Sequence, residues 1–317
     1  MKLLQTMTLA AGVVTLAASA VAQVPETRKP IKFATADWTG SYITAGIMRG
    51  ILEDMGYRTE EVVADQFAWY PAMSNRDIDV AMEAWTTTQG EVLNAAVADG
   101  TVVELGESGL QAIETWWYPN YVKELCPGLP DYRALNDCVD VFKTAETGDK
   151  GRYLSGPVTW GGFDEERVQA LGLDYKVVYP GTDAAMFAEL ESAYTRQAPI
   201  LMWIYSPHWA PAKYDGEFID FPTYTDECYS DPSWGSNPDL AYDCAKPRGP
   251  VMKVAAAGAA DDWPCAIQTI QSANITNKEY GDLWGQVDLE GMSVEEVVAG
   301  WLAANEERWK SWQACQG

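Results

Sequence analysis

Short apolar runs and longer amphipathic stretches alternate along the first third of the chain. Residues 31–36, 59–64 and 79–83 have the length and composition of strands, and residues 42–55 carry apolar side chains at helical spacing. A further helical pattern begins at residues 70–75. This order predicts a β-α-β-α-β unit, in which helices cover the faces of a largely parallel sheet.

The same alternation returns after residue 120. Strand patterns at residues 152–154, 175–179 and 199–205 are interleaved with helical patterns at residues 165–171 and 184–196. Two such α/β units in one chain predict two lobes with a ligand cleft at their junction. Ligands of open α/β sheets lie beyond the carboxyl ends of the strands, so we expect Trp38, Trp85 and the segment after Trp203 at the cleft.

The C-terminal region carries a helical stripe. Residues 293–296 read Ser-Val-Glu-Glu, the capping pattern that starts a helix, and the apolar residues that follow fall on one face. Trp301, Trp309 and Trp312 belong to this face. Helical spacing accounts for all three, so we expect them to pack in the core.

The cysteines predict a framework of disulfides. Six of them, an even number in a chain with an export signal, favour the pairs Cys126–Cys138, Cys228–Cys244 and Cys265–Cys315 by spacing, although fifteen pairings are possible. Residues 223–250, rich in Asp, Pro, Ser and Gly and without periodicity, predict a surface insertion pinned by the second pair.

The first residues predict export. Lys2 is followed by an apolar run and by Ala20-Val21-Ala22, which is the small-x-small pattern of a signal peptide over residues 1–22. Gln23 is then the mature N-terminus, and the expected location is the periplasm. The net charge of −24 argues against nucleic acid as a partner, because phosphates need the opposite sign.

No catalytic motif accompanies these features. The chain has a single histidine, His208, and it lacks the G-x-S-x-G, P-loop, G-x-G-x-x-G and H-E-x-x-H patterns. Every Ser-His-acid triad would have to use that one residue. We therefore do not expect an enzyme.

Several of the fourteen tryptophans stand where a strand meets a loop, and core packing alone does not explain them. Aromatic rings that converge on a cleft can enclose a quaternary ammonium, and each ring face offers about 0.5–2 kcal/mol of cation–π attraction. The alternatives are core packing and sugar stacking. Trp116 and Trp117 stand where the chain is expected to cross between lobes, and as neighbours they cannot easily share one pocket.

The chain resembles the glycine betaine/choline/proline betaine family of substrate-binding proteins of ABC transporters. The resemblance covers nearly all of the mature length and rests on Asp37-Trp38-Thr39, residues 79–86 (Asp-Val-Ala-Met-Glu-Ala-Trp-Thr), Thr159-Trp160-Gly161-Gly162, residues 205–209 (Tyr-Ser-Pro-His-Trp), and Gly300-Trp301-Leu302 with Trp309 and Trp312. It implies an aromatic cage built from Trp85, Trp160 and Tyr205 or Trp203, with Trp38 as the additional ring of the choline-type branch. Choline-type members carry an acid where this chain has Gly40.

The resemblance also implies an α/β fold of the two-lobed, type II periplasmic-binding class with a hinge between the lobes. We expect residues 23–117 in lobe 1, residues 118–212 in lobe 2, and residues 213–317 back in lobe 1 with the insertion. The implied partners are a small methylated-amine ligand and an inner-membrane ABC permease, and the protein is expected to be a monomer.

The acids near these rings favour one ligand over others. A ligand carboxylate beside Asp37, Glu83 or Glu114 would be repelled unless a proton intervenes. A carboxyl group enclosed by rings can instead share one proton with the oxygen of trimethylamine N-oxide, or accept the hydroxyl of choline. We expect Glu114 to be this acid, with Glu83 as the alternative.

The insertion suggests one further ligand. It resembles the excursion of the trimethylamine-N-oxide-binding branch, which can hold a metal ion. Asp231, Asp239 and Asp243 offer the oxygen ligands that calcium prefers, although their spacing is not that of an EF-hand. A solvated acidic loop is the alternative.

Overall fold

A computed structural model describes residues 24–315 of the chain. The signal peptide predicted at residues 1–22, and Gln23 after it, lie outside these described residues. Within the described part, no helix is both long enough and apolar enough to cross a membrane.

The fold contains ten strands and thirteen α-helices in the described residues. The strands are β1 (Ile31–Thr35), β2 (Thr59–Val63), β3 (Val80–Trp85), β4 (Val102–Pro119), β5 (Pro127–Pro130), β6 (Gly151–Leu154), β7 (Tyr175–Val178), β8 (Met202–Ser206), β9 (Gly216–Phe218) and β10 (Gly249–Ala256). The helices are α1 (Thr39–Asp54), α2 (Trp69–Ser74), α3 (Thr86–Ala98), α4 (Val139–Phe142), α5 (Asp164–Ala170), α6 (Asp183–Arg196), α7 (Ala210–Lys213), α8 (Asp226–Ser230), α9 (Ala259–Asp262), α10 (Pro264–Ser272), α11 (Asn277–Asp288), α12 (Val294–Ala304) and α13 (Glu306–Lys310). Three short 3₁₀ helices cover Asn120–Glu124, Tyr132–Cys138 and Val158–Trp160.

The first sheet confirms the β-α-β-α-β unit. Strand β1 pairs in parallel with β2 and β3. The expectation of a largely parallel sheet holds for these three strands only, because β10 returns from the C-terminal part of the chain and lies antiparallel between β3 and β4. The sheet is therefore mixed, in the order β2-β1-β3-β10-β4.

Strand β4 is a member of both sheets. Its first part pairs with β10 up to Ala112, and from Ile113 it pairs with β8 instead. The second sheet continues through β6 to β7, and β9 pairs with the end of β4. Neither β4 nor β10 was predicted from the sequence pattern, and the lobe boundaries stay a prediction.

The C-terminal stripe is not one helix. The capping box of Ser293 and Glu296 is confirmed at the start of α12. The single continuous helix is wrong, because Asn305 leaves helical geometry at φ −119° and ψ 24° and its Nδ2 donates to the carbonyl of Trp301 at 2.9 Å. The three tryptophans of the stripe are nevertheless buried, as expected.

All three predicted disulfides are present, at Cys126–Cys138, Cys228–Cys244 and Cys265–Cys315. The second one closes the insertion, which contains only α8 and turns. Arg167 of α5 fastens this insertion to the second sheet's layer, since its Nε donates to the carbonyl of Cys244 at 2.8 Å.

The end of β4 packs against β9 without any spare room. Trp117 is almost fully buried, and a Cβ added to Gly216 of β9 would lie 1.8 Å from the Trp117 ring and 2.5 Å from the Tyr118 carbonyl oxygen. Glycine is therefore required here by the close approach of the ring.

We expect Gly216→Ala to lower the free energy of unfolding by about 1–3 kcal/mol, the usual cost of overpacking. Gly300→Ala is the matched control, because the same added carbon at Gly300 in α12 meets no atom within 4 Å. The control should be neutral or slightly stabilising, since alanine favours a helix. Urea unfolding of both variants measures the difference, and equal stabilities would contradict the packing argument.

Candidate ligand-binding site

A cavity lies between the two sheets and is lined by Trp38, Gln66, Trp85, Glu114, Trp160 and Tyr205. A largely aromatic lining with a few polar groups is typical of sites for small ligands. Four of its six side chains are aromatic. We refer to Trp38, Trp85, Trp160 and Tyr205 as the cage.

The topology explains why these residues meet. Trp38 follows the end of β1, Trp85 is the last residue of β3, and Gln66 follows the end of β2. These parallel strands deliver all three residues to one edge of the first sheet. From the second sheet, Tyr205 on β8 lies opposite Glu114 on β4 in the antiparallel register, which places both on the same face.

The rings of the cage stand edge to face. The ring centroids of Trp38 and Trp160 are 5.8 Å apart with an interplanar angle of 84°, and those of Trp160 and Tyr205 are 5.6 Å apart at 80°. Trp85 and Tyr205 are 5.9 Å apart at 90°. Such an arrangement offers ring faces from several directions, which is the geometry that a methylated ammonium group requires.

Glu83 holds two of these rings by one carboxylate oxygen. Its Oε2 accepts from Trp38 Nε1 at 2.9 Å, from Trp85 Nε1 at 3.1 Å and from the Tyr280 hydroxyl at 3.0 Å. Its Oε1 accepts from the Thr44 hydroxyl at 2.7 Å. Burial raises the pKa of Glu83, and these four hydrogen bonds oppose that shift. Glu83 therefore fixes the orientation of Trp38 and Trp85 from outside the cavity.

The other two rings are anchored in the same way. Trp160 Nε1 donates to Asp37 Oδ1 at 3.0 Å, and the Tyr205 hydroxyl donates to Asp183 Oδ1 at 3.1 Å. All four polar ring groups thus end on carboxylates outside the cavity.

Glu114 presents one oxygen to the cavity. Its Oε2 accepts from the hydroxyls of Thr87 and Thr88, the latter at 2.7 Å. No residue in the range 24–315 hydrogen-bonds its Oε1. The carboxylate is therefore fixed through one oxygen, while the other is left for a ligand. The predicted cavity position of Glu114 agrees with the structure, whereas the alternative acid Glu83 lies behind the rings.

Three predicted site residues lie outside the cavity lining. Trp116 stacks on Tyr153 with ring centroids 3.7 Å apart, and its Nε1 donates to Asp164 at 2.8 Å. Trp117 packs against β9, and Trp203 is fully buried beneath Lys246. The alternation of side chains along a strand cannot show which of these tryptophans faces the cavity, because both faces of the second sheet are covered and both are apolar.

Two polar residues near the site were missed by the sequence analysis. Gln66 lines the cavity, and its position after β2 follows the same strand-end rule that found Trp38 and Trp85. Lys246 of the insertion reaches the Thr88 hydroxyl, 3.1 Å from its Nζ. No local pattern in the insertion marks that lysine.

The sequence position of Gly40 also has a structural reason. A Cβ at this residue would lie 1.9 Å from the Tyr280 hydroxyl oxygen and 2.7 Å from the Trp284 ring. Tyr280 donates its hydroxyl to Glu83. The space of a side chain at Gly40 is therefore taken by the residue that helps to fix the cage.

The insertion acids do not come together as one ligand group among the described residues. Asp243 already has hydrogen-bond partners within the protein. Its Oδ2 accepts from the backbone N–H groups of Ser236 at 2.7 Å and Asn237 at 3.1 Å. Asp231 accepts from the backbone and hydroxyl of Ser233, and Asp239 is exposed. Calcium binding by the insertion stays a prediction.

One other group in residues 24–315 has ligand atoms within 4.8 Å of one another, namely Asp183, His208 and Asp288. His208 Nδ1 accepts from the backbone N–H of Ala210 at 3.1 Å, which puts the imidazole proton on Nε2. A protonated nitrogen cannot coordinate a metal. Burial also lowers the pKa of His208 well below its ordinary value, so the ring is neutral.

Comparisons with known proteins identify the family of the chain. Residues 29–304 match the family described as the substrate-binding domain of ABC-type glycine betaine transport systems. A trimethylamine N-oxide-binding protein of Pelagibacter ubique (strain HTCC1062) is 31% identical over 299 residues, covering 91% of this chain and 92% of the relative.

Solved structures show the same fold. An ABC-transporter choline-binding protein in complex with choline superposes with a TM-score of 0.70 at 20% identity, covering 92% of this chain and 95% of that one. The lactococcal OpuAC protein complexed with glycine betaine gives a TM-score of 0.68 at 16% identity, covering 90% and 99%. The fold is thus the two-lobed α/β fold of periplasmic binding proteins.

The chain belongs to the family of substrate-binding domains of ABC-type glycine betaine transport systems. Proteins of this family are periplasmic or extracellular, bind small ligands and deliver them to an ABC permease, and the family is not one of enzymes.

Asp183 behind Tyr205 generates a prediction about pH. Burial, followed by the charges of Asp288 and Asp37, raises the pKa of Asp183 well above its ordinary value. The folded protein therefore holds this proton more tightly than the unfolded chain does. The stability that Asp183 contributes is fully present below the unfolded-state pKa of about 3.9 and is lost as the pH rises toward the folded-state pKa. We expect Asp183→Asn, which carries no charge, to raise the Tm by a few degrees at pH 7 and to have little effect at pH 3.

Thermal unfolding at both pH values measures this effect. Asp149→Asn at an exposed position removes an equal charge and serves as the control. A destabilised Asp183→Asn variant at pH 7, with the control unchanged, would show that the ionised carboxylate is required.

Proposed function

We propose that this protein is the substrate-binding component of an ABC importer for a methylated amine, and that trimethylamine N-oxide is its ligand. The observation that carries the proposal is the cavity itself, which is lined by four aromatic rings together with Glu114. The Pelagibacter relative, which binds trimethylamine N-oxide by its name, supports the same ligand.

The cage suits the methyl groups of the ligand. A trimethylammonium group spreads its positive charge over three methyls, so it gains both cation–π attraction and burial of apolar surface. A sugar would need many more hydrogen-bonding groups than Gln66 and Glu114 provide.

Glu114 suits the oxygen of the N-oxide. An ionised carboxylate and an N-oxide are both acceptors, so the complex requires one proton between them and forms a strong hydrogen bond with it. Glycine betaine and dimethylsulfoniopropionate bring a carboxylate, which needs a donor. The amide nitrogen of Gln66 donates one of its two N–H groups to the Trp160 carbonyl at 3.0 Å, which leaves a single N–H for such a carboxylate.

Choline is the second candidate ligand, because its hydroxyl could donate to Glu114 Oε1. A ligand sensor without a transport role would use the same cavity, and binding to a permease would distinguish the two. In the proposed role the protein acts as a monomer in the periplasm after removal of its signal peptide, and it binds its ligand without chemical turnover.

Isothermal titration of the mature protein with trimethylamine N-oxide, choline, glycine betaine and dimethylsulfoniopropionate tests this function. We expect the N-oxide to bind most tightly and to be recovered unchanged. A tight carboxylate ligand would contradict the role of Glu114 and leave the cage intact. No binding of any of the four would contradict the proposed function.

The geometry of the cage predicts how much ligand affinity is lost when one ring is made smaller. Trp160→Phe removes part of the ring face and the hydrogen bond to Asp37, so we expect the Kd for the N-oxide to rise about tenfold, or about 1.4 kcal/mol. Trp309→Phe is the matched control, because both tryptophans are 6% exposed and both donate from Nε1. Calorimetry on both variants measures the difference. Equal losses of affinity would mean that Trp160 only packs.

The shared proton predicts a second effect. Above neutral pH, N-oxide affinity should fall as the pH rises, up to tenfold per pH unit, because the complex must hold one more proton than the free partners. Choline affinity should not follow this dependence. Glu114→Gln should remove the dependence, since an amide can donate to the N-oxide at any pH. Exposed Glu107 on β4 provides the control variant Glu107→Gln. A wild-type affinity independent of pH would contradict the shared proton.

A further inference from the structure

Lys246 is a buried cation that the insertion brings to the site. Its side chain is 5% exposed, and its Nζ lies 3.4 Å from the ring centroid of Trp203. Gly162 makes this approach possible. With φ at 128°, a Cβ there would lie 2.3 Å from the Trp203 ring and 3.3 Å from Lys246 Nζ. The absence of a side chain at Gly162 therefore leaves the space that Trp203 and Lys246 occupy.

A chain of hydrogen bonds links this lysine to the ligand-facing acid. Lys246 Nζ donates to Thr88 Oγ1 at 3.1 Å, and Thr88 Oγ1 donates to Glu114 Oε2 at 2.7 Å. Because the ammonium group has only donors, it occupies a lone pair of the Thr88 oxygen and directs the one hydroxyl proton toward Glu114. The order of donors in the chain is thereby fixed.

The charged groups that face Lys246 are few. They are Glu114 on β4 and the pair of Asp164 and Arg167 on α5. Asp164 and Arg167 neutralise each other, with 3.0 Å between Oδ1 and Nη1 and almost no exposure of either side chain. Within residues 24–315, Lys246 makes no direct ion pair. Glu114 is therefore the negative charge that Lys246 balances.

The surroundings of the insertion hold this lysine in place. Cys244, two residues earlier, is closed by its disulfide to Cys228, and its carbonyl accepts from Arg167. Asn237 Nδ2 donates to the carbonyl of Ala170 at the end of α5, at 2.9 Å. The insertion is thus fixed on the second sheet's layer, while its lysine reaches Thr88 on α3.

We infer that Lys246 sets the affinity of the site for cations: through Thr88 it offsets the charge of Glu114, so that the cavity binds a permanent cation less tightly than the cage and Glu114 alone would. This inference rests on the proposed function, because it takes the cavity as the ligand site. Without an offsetting charge, a cage backed by carboxylates would attract any quaternary ammonium.

Tetramethylammonium is the probe that tests this inference, because it carries a permanent positive charge and exchanges no proton with Glu114. Trimethylamine N-oxide is titrated beside it as the check on the proposed function. We compare wild type, Lys246→Met and Lys253→Met by calorimetry at pH 7. Lys253 is the matched control, because it is also buried and its pKa is also lowered to about 8, but it lines a different cavity in the first lobe.

Lys246→Met keeps the side-chain length over Trp203 and removes the charge. We expect the affinity for tetramethylammonium to rise roughly ten- to twentyfold, as for a unit charge acting over about 10 Å at an effective dielectric constant of about 20. Lys253→Met should leave this affinity unchanged. An unchanged or weakened affinity in Lys246→Met would overturn the inference and assign the lysine a packing role.

A second measurement tests the inference on the wild type and does not depend on a Lys246 variant that folds. Burial lowers the pKa of Lys246 to about 8, an effect that Glu114 and Asp164 oppose and Arg167 reinforces. Tetramethylammonium does not titrate, so its affinity for the wild type should rise between pH 7 and pH 9 as Lys246 loses its proton. Lys253→Met should keep this rise. A flat profile in wild type would overturn the inference.

The failure of the proposed function gives a different result. In that case the wild type binds neither probe, and both ideas fall together. If the wild type binds the N-oxide but its affinity for tetramethylammonium does not depend on Lys246, the proposed function stands and only the inference is lost.

Discussion

The hydrogen bonds of the buried Glu83 carboxylate are the interaction on which the site depends. A carboxylate in an apolar interior is costly unless its lone pairs are satisfied, and here four donors satisfy them. Two of these donors are the indole nitrogens of Trp38 and Trp85. The requirement to satisfy one buried charge therefore fixes the orientation of half of the cage.

The same requirement ties separate parts of the chain together. Thr44 on α1 and Tyr280 on α11 donate to Glu83 from helices that are far apart in sequence. Tyr280 in turn occupies the space above Gly40, where a side chain would collide with it. The cage is thus supported by a network that includes residues with no contact to the cavity. Its members rigidify the rings before any ligand arrives.

Much of this arrangement could be predicted from sequence, because it depends on short-range patterns. Strands β1 to β3 were found from apolar runs, and the rule of strand ends then selected Trp38 and Trp85. The disulfide pairs followed from spacing. Glu114 was found by chemical reasoning about the ligand, and the structure places it in the cavity as expected.

What escaped prediction depends on long-range contacts. Strand β10 lies between β3 and β4, although its residues follow the insertion by position in the chain. Trp116 and Trp117 looked like ligand-binding residues, but Asp164 and Gly216 give them partners that no local pattern shows. Lys246 belongs to a segment without periodicity, so only the folded chain reveals that it approaches Thr88.

Strand β4 has a consequence for any attempt to divide the molecule. It contributes to one sheet up to Ala112 and to the other from Ile113, and Glu114 comes one residue later. A cut that separated the halves here would leave each with an unpaired sheet edge, which is prone to aggregate. It would also separate Glu114 from the cavity residues that belong to the other sheet. The two lobes are thus not interchangeable modules, and recombination between distant relatives should preserve this strand whole.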